Sequence, residues 1–299
     1  MAKPDFICAN KPLFRHSTLG IGGDADFFAL IDNLDKLAEA VEFSRDEGLD
    51  VFVIGRGSNV LFSDRGFRGL VLKIGARKMH HFMFMPGKEF WVEAGALVST
   101  IVDLGTKVGF SGFENFAGLP GTVGGATYGN AGCFGSEFWE RVEAVKFFDG
   151  GDFQEFRPSN HSIPYSYRHS VFKSHSNWII VSARLRIEEA DPKQVAKRVK
   201  EVTEQRAKRQ PGVKNIGCIF KNPLRDGKMV SAGKLIDEAG LKGFRVGDAL
   251  VSHVHANFFE NLGGAKASDF LELIKIVRSK VYSKFGIMLE EEIVKVGEF

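Results

Sequence analysis

The sequence predicts an α+β fold, with strands and helices mixed in two successive parts. Three observations predict it. The chain opens β-α-β: Ala25–Ile31 is an apolar strand. Asn33–Glu47 carries Leu34, Leu37, Val41 and Phe43 roughly at helical spacing, with Gly48 as a stop. Val51–Ile54 is a second short apolar run. A charged helix over Asp191–Gln210, its Ala and Val on one face, is stopped by Pro211-Gly212. Beyond Pro211–Asn215 the alternation starts again, which marks a domain boundary. At 299 residues the chain has room for two domains, or one large domain with subdomains.

In order, Asn10–Gly23 is a polar entry loop ending in a glycine pair, and Gly69–Ile74 and Glu89–Glu93 are strands. Leu97–Val108 is a helix ending at Gly109. Gly112–Glu137 is too polar for a core strand and too glycine-rich for a helix. Arg141–Asp149 is a strand that turns at Gly150-Gly151, and Trp178–Ile187 is another. After the boundary come a short strand over Cys218–Phe220 and a helix over Ser231–Ala239 with Gly240 as its stop. Strands over Phe244–Val246 and Ala256–Glu260, a long amphipathic helix over Ala265–Phe285 and a last strand over Met288–Val296 complete the chain.

Composition narrows the function. The net charge is +3 and the pI about 8.6, with Lys and Arg spread along the chain. No dense basic run or nucleic-acid fold signature is present, so a nucleic-acid partner is not expected, whereas mild basicity fits small anionic ligands. Cys8, Cys133 and Cys218 show neither CxxC nor metal-ligand spacing, which argues for a reducing compartment and no metal. The N-terminal stretch lacks an apolar signal region, and no apolar run reaches membrane-spanning length. A cytoplasmic protein is the expectation.

Two glycine-rich stretches carry the binding signal. Val51–Ile54 runs into Gly55-Arg56-Gly57-Ser58-Asn59, at the carboxyl end of a strand, where α/β architectures bind ligands. Main-chain N–H groups in such a turn can form an anion-binding nest, although Gly-Ser-Asn is also ordinary turn chemistry. The turn is neither GxxxxGK[ST] nor GxGxxG. Gly112–Glu137 combines its glycines with Phe113, Phe116, Leu119, Val123, Tyr128 and Phe134, which is unlike a linker and suits a backbone wall against a flat or phosphorylated ligand. Together they point to one large dinucleotide-like ligand held by main chain.

Three places could carry chemistry, each with a plainer reading. Arg168, in IPYSYRHSVF, could grip a carboxylate and steady developing negative charge, or be a surface arginine in a loop. Cys218, in NIGCIFKNP, could donate a proton, since a thiol titrates near pH ~8.5, or be a small buried hydrophobe. Glu292, in LEEE at the head of the last strand, could act as acid, base or anchor, or be a solvated strand cap.

The HSTLGIGG entry, VIGRGSNVLFSD followed by GFRGLVL, and GFENFAGLPGTVGGATYGNAGCFGSE occur in that order. YSYRHSVF, GCIFKNP, AGKLIDEAGLKG, HANFFEN and LEEEI follow. From about Asn10 to Gly297 the sequence resembles the UDP-N-acetylenolpyruvoylglucosamine reductase family, in its shorter subtype. The resemblance implies a two-subdomain FAD-binding module of the vanillyl-alcohol-oxidase (PCMH) type over 1–75 and 76–210. A C-terminal α+β UDP-sugar domain would follow over 211–299. It implies non-covalent FAD contacted by Gly55, Arg56, Gly57, Ser58, Asn59, Gly118, Pro120, Gly121 and Thr122, with Tyr128, Asn130 and Gly132 lining the region; His16 is then a loop histidine rather than a flavin attachment point. It implies NADPH as co-substrate and UDP-N-acetylglucosamine enolpyruvate as substrate, in peptidoglycan precursor synthesis, by a monomer. In the family, hydride passes from reduced FAD to the enolpyruvyl C3 and a proton to C2. By motif position, Arg168 would polarise the substrate carboxylate, Cys218 would give the proton, and Glu292 would assist; Tyr167, Lys221, Asn222, Lys234, His255 and Asn257 would contact the UDP-sugar.

The sequence departs from the family in three places. Cys218 stands where serine is commonest, Gly129 where a larger residue is frequent, and Val294-Lys295 where an arginine is expected. Other flavoproteins of the same fold, such as hydroxy-compound oxidases, share the first half, but GCIFKNP and LEEEI argue against an oxidase. A non-catalytic UDP-sugar sensor would not need Arg168, Cys218 and Glu292 together.

Overall fold

The structure is a computed structural model that describes residues 3–75, 90–158, 164–212 and 214–299. Glu89, Ile163 and Val213, which the sequence assigns to a strand, a proline bend and the boundary segment, lie outside the described residues. The chain packs into two compact units, neither of them continuous in sequence. One comprises Met1–Ala9, Phe27–Arg56 and Gly69–Gln205; the other comprises Asn10–Asp26, Gly57–Arg68 and Arg206–Phe299. This grouping differs from a cut at 75 and 210, because two early segments pack with the C-terminal residues.

One sheet, most of whose residues belong to the first unit, has the spatial order Ile7–Pro12, Asp24–Ile31, Phe67–Ile74, Val51–Ile54. The β-α-β opening is present, but Phe67–Ile74 sits between its two strands, parallel to Val51–Ile54 with Ile54 opposite Lys73. Helix α1 (Leu34–Asp46) starts where the Asn33 side chain accepts the Lys36 N–H, and it buries Leu37, Ala40 and Phe43. The second sheet is antiparallel, in the order Phe153–Phe156, Val142–Phe148, Ile179–Leu185, Trp91–Glu93. Helix α2 (Val98–Val108) ends on Gly109 at φ 84°, a left-handed cap that favours glycine.

The glycine-rich stretch is not helix-free, as its composition suggests. Helix α3 (Val123–Gly129) lies within it. Thr122 caps this helix by accepting the Gly125 N–H at 3.3 Å, and Val123, Ala126 and Thr127 are buried. Tertiary burial of those three residues outweighs the poor helix propensity of glycine.

Helix α4 (Pro192–Arg209) contains the break between the units. The second unit has an antiparallel sheet in the order Asn215–Cys218, Phe258–Asn261, Ala249–Val251, Arg245–Val246. Helices α5 (Ala232–Glu238) and α6 (Ala267–Phe285) bury Leu235, Ile236, Phe270, Leu273, Ile274 and Val277. The early segments belong here by hydrogen bonding. Val60–Phe62 pairs in parallel with Val294–Val296, and the Asp64 carboxylate accepts the Ala267 and Ser268 N–H groups at the start of α6.

Two strand assignments from the sequence move. The strand expected at Cys218–Phe220 runs over Asn215–Cys218, since a bulge at Gly217 (φ 79°) resets the register and Phe220 keeps only a bridge to Glu291. The strand expected over Met288–Val296 is confined to Val294–Val296. Glu292 therefore precedes the strand instead of starting it, because Lys221 and Ile219 hold residues 290–292 through single main-chain bonds rather than a ladder.

Candidate active site

The GRGSN turn follows the strand Val51–Ile54 as expected, but its glycines serve the protein's own packing. A Cβ on Gly55 would lie 2.4 Å from Thr122 Oγ1. A Cβ on Gly57, at φ 67°, would lie 2.2 Å from the His16 carbonyl oxygen. What the turn offers a ligand is its amides. Among the described residues, none accepts a hydrogen bond from the main-chain N–H of Gly55, Arg56, Gly57, Ser58 or Asn59. Lys73 adds positive charge: burial, then the nearby Arg56 charge, push its amine below the ordinary lysine range. Free amides beside two cations fit a diphosphate.

The second stretch offers a bare helix face. A Cβ on Gly121 or Gly129 would meet nothing within 4 Å, and one on Gly125 would first reach Thr122 Oγ1 at 3.4 Å. Gly125 and Gly129 are four residues apart and share one face of α3, and Gly121 immediately precedes the Thr122 cap. Tyr128, on the same helix, is 40% exposed, and partial burial pushes its phenol up. Gly118 (φ 74°) and Pro120 are exposed on the approach to the helix, and Thr122 is buried as its cap. A planar ring can approach such a face closely because no side chain intervenes. The residues present therefore fit a flavin dinucleotide.

Arg168 sits at the tip of a hairpin pairing Tyr165–Ser166 with His169–Ser170. Tyr167 and Arg168 form its two-residue turn, and Arg168 has φ 58°, an uncommon conformation for a residue with a Cβ. Main-chain acceptors tie the hairpin to the end of α3. Asn130 Nδ2 donates to Ser166 O at 2.9 Å, Ser170 Oγ donates to Tyr128 O at 2.7 Å, and an Arg168 guanidinium nitrogen donates to Gly132 O at 3.0 Å. The rest of the guanidinium lies over the Tyr167 ring, 4.9 Å from its centroid. A Cβ on Gly132 would stand 2.6 Å from an Arg168 guanidinium nitrogen, so a side chain there would displace the guanidinium. Asn130 is fully buried and its amide serves Glu137, Ser166 and Trp139. Asn130 thereby also supports the arginine hairpin.

The other two chemical positions lie in the second unit. Cys218 closes the strand Asn215–Cys218 and is partly exposed. Its neighbour Ile219 accepts the Glu292 N–H at 2.8 Å, so the two motif positions lie on adjoining segments. Asn59 Nδ2 donates to Glu292 O at 3.1 Å, and Val294 N–H donates to Asn59 O at 3.0 Å. Asn257 is 2% exposed and takes Phe220 by both main-chain groups: its Oδ1 accepts the Phe220 N–H at 3.0 Å and its Nδ2 donates to Phe220 O at 2.8 Å. Asn222 accepts the Ala232 N–H at 2.9 Å at the entry to α5. These two amides thus hold main chain. Lys221 pairs with Glu290, Lys234 is exposed on α5, and both amines can swing to an anion. The His255 ring accepts the Asn257 N–H through Nδ1, and burial, then the Lys242 charge, hold its pKa below the ordinary value despite a main-chain hydrogen bond.

Sequence reasoning missed two groups. Lys173 donates to Arg168 O at 2.8 Å. Arg278 and Lys295 both bind Glu291; burial pushes that carboxyl up, but their hydrogen bonds and charges bring it below the ordinary range. The position of Lys173 five residues beyond Arg168 was a readable signal; the reach of Arg278 from α6 to Glu291 was not.

Residues 25–152 match the family model described as an FAD binding domain, and residues 205–296 match that described as the C-terminal domain of UDP-N-acetylenolpyruvoylglucosamine reductase. Fold and site thus define an FAD-binding oxidoreductase module joined to a C-terminal α+β domain. The curated UDP-N-acetylenolpyruvoylglucosamine reductase of Carboxydothermus hydrogenoformans is 37% identical over 294 residues, covering 98% of this chain and 94% of that one. That of Rubrobacter xylanophilus is 37% identical over 289 residues, covering 97% and 95%. The crystal structure of the Thermus caldophilus UDP-N-acetylenolpyruvylglucosamine reductase superposes with a TM-score of 0.80 at 35% identity, over 97% of this chain and 98% of that one. The chain belongs to the UDP-N-acetylenolpyruvoylglucosamine reductase family. Among the described residues, no helix is long and apolar enough to cross a membrane, and no His, Cys, Asp and Glu cluster could hold a metal ion.

Proposed function

We propose that the protein reduces the enolpyruvyl group of UDP-N-acetylglucosamine enolpyruvate to the D-lactyl ether of UDP-N-acetylmuramate, with NADPH as reductant, in the cytoplasm and as a monomer. The chemistry supplied by FAD, when held there, would be hydride transfer between NADPH and the enolpyruvyl C3. The five amides of Gly55–Asn59, with Arg56, would hold the cofactor diphosphate, and the glycine face of α3 with Tyr128 would hold its ring system. Residues 1–75 and 76–210 would serve as the cofactor subdomains and 211–299 as the UDP-sugar domain.

The protein groups would then handle charge and a proton. Arg168 would hold the substrate carboxylate and stabilise the negative charge that grows on it as C3 gains hydride. The Cys218 Sγ–H bond would break, its proton passing to C2 and its electrons staying on sulfur as thiolate. Glu292 would assist that transfer. Tyr167, Lys221, Lys234 and His255 would contact the UDP-sugar, the lysines as point charges on the diphosphate. Support comes chiefly from the main-chain bond from the Glu292 N–H to Ile219 O, which joins the backbone of the two motif segments. The test is the visible spectrum under anaerobic conditions. Oxidised-flavin absorbance should bleach with NADPH and return on adding the enolpyruvyl UDP-sugar. No flavin absorbance after reconstitution with FAD would refute the reading, and recovery only in air would point to an oxidase.

A further inference from the structure

The arginine hairpin is pinned at its strands and again at its turn, and the second pin has no role in the reading so far. Ser166 and Ser170 are fixed to the end of α3. The Arg168 carbonyl lies at the tip, in a backbone conformation that a residue with a Cβ adopts only when its surroundings impose it. Lys173, on the 3-10 turn Val171–Ser174, directs its ammonium back and donates to that carbonyl at 2.8 Å. A charged donor on a main-chain carbonyl is among the stronger hydrogen bonds of a partly buried site. The same ammonium lies 5.8 Å from the centroid of the Tyr128 ring, on α3. Lys173 thus spans the two elements that would bear on substrate carboxylate and flavin.

We propose that Lys173 is a positioning residue for Arg168: it holds the turn in its left-handed conformation, and thereby aims the guanidinium. The inference rests on the reading that Arg168 serves the substrate carboxylate. The side chain at φ 58° leaves the turn in a different direction from one in the common α or β regions. Without the lysine bond the turn relaxes, and the arginine spends part of its time off target. Loss of one charge-assisted hydrogen bond shifts such a local equilibrium by roughly ten-fold to a hundred-fold.

The test separates the two halves of turnover in the FAD-loaded, full-length enzyme. Lys173→Met, Lys173→Arg and Arg168→Lys are compared with wild type. Each is reduced with dithionite under argon, then mixed with the enolpyruvyl UDP-sugar, and the return of flavin absorbance is timed. Lys173→Met should keep wild-type flavin content and bleaching rate with NADPH, yet reoxidise about ten-fold or more slowly. Lys173→Arg, which keeps a charged donor, should recover most of that rate. Reoxidation of Lys173→Met within about two-fold of wild type, with Arg168→Lys slow, overturns the proposal and leaves the reading of Arg168 intact. Wild-type reoxidation by Arg168→Lys overturns that reading and, with it, the proposal. Lost flavin or equally slowed bleaching in Lys173→Met also overturns it, because the lysine would then act on the cofactor or the fold.

Discussion

Asn257→Leu removes one amide and nearly preserves volume. In the wild type that amide closes a two-bond clamp on Phe220, with Nδ2 on the carbonyl at 2.8 Å and Oδ1 on the N–H at 3.0 Å. Phe220 is 1% exposed and Asn257 2%, so water cannot replace either bond without opening the core. A buried main-chain group left without a partner costs about 1–3 kcal/mol, so two such groups cost roughly 2–6 kcal/mol. Leucine recovers some apolar transfer energy, which leaves an expected loss near ~2–4 kcal/mol. The main-chain bond from Ile219 N–H to Asn257 O survives the change, so the strand should stay in register while Phe220 loosens. Equilibrium urea unfolding followed by circular dichroism measures the loss. The sequence motif makes Asn257 a substrate contact instead, and that role has the opposite signature. A stability change below ~0.5 kcal/mol with a raised KM for the UDP-sugar would refute the clamp argument. Asn257→Asp sharpens it: a carboxylate would face the Phe220 carbonyl, so its pKa should rise and the variant should gain stability relative to wild type as pH falls.

Gly57→Ala should unfold readily at room temperature or cost well over ~3 kcal/mol in urea unfolding, because its Cβ would stand 2.2 Å from His16 O at a positive φ. Gly121→Ala should leave the apoprotein's melting point nearly unchanged, since nothing lies within 4 Å of that Cβ, while weakening FAD retention on gel filtration. The His255 pKa is lowered in the fold, so the unfolded chain binds more protons and folded stability is lost as pH falls below about 6.5. His255→Gln, which keeps an acceptor, should flatten that part of the wild-type curve of melting temperature against pH. Cys218→Ser should lose the alkaline fall in kcat expected of a titrating thiol; a profile identical to wild type would count against the thiol as proton donor.

Much of this was legible in the sequence where the signal is local. The helix after Asn33, the Gly109 stop and the run Val51–Ile54 all lie where periodicity and stop rules put them. The sequence failed where a distant partner decides. Helix α3 exists because Val123, Ala126 and Thr127 are buried, which no glycine count reveals. The strand before Cys218 shifts because Gly217 bulges, and the last strand shortens because residues 290–292 bond to Lys221 and Ile219 across the chain. Motif order brought these residues to notice but could not divide their labour. Asn130 and Asn257 look like ligand contacts in sequence, and in the structure both are buried and hydrogen-bonded to main chain.

That division has a consequence for the GRGSN turn. Asn59 is its last residue, and Asn59 also brackets Ile293: its side chain donates to Glu292 O and its carbonyl accepts the Val294 N–H. The next residues, Val60–Phe62, pair in parallel register with Val294–Val296. The placement of Glu292 is therefore fixed by the same few hydrogen bonds that end the proposed diphosphate loop. An amide loop with unused donors is easily displaced, and an anion that binds those donors restricts it. Restricting Asn59 restricts the Glu292 main chain, because Asn59 bonds to both Glu292 and Val294 and the intervening Ile293 is buried. Cofactor binding and carboxyl placement are thus linked in the proposed site through local main chain. By linkage, the apoprotein should hold Glu292 less firmly than the FAD-loaded form, and slower hydrogen exchange at Val294 on adding FAD is the signature of that coupling.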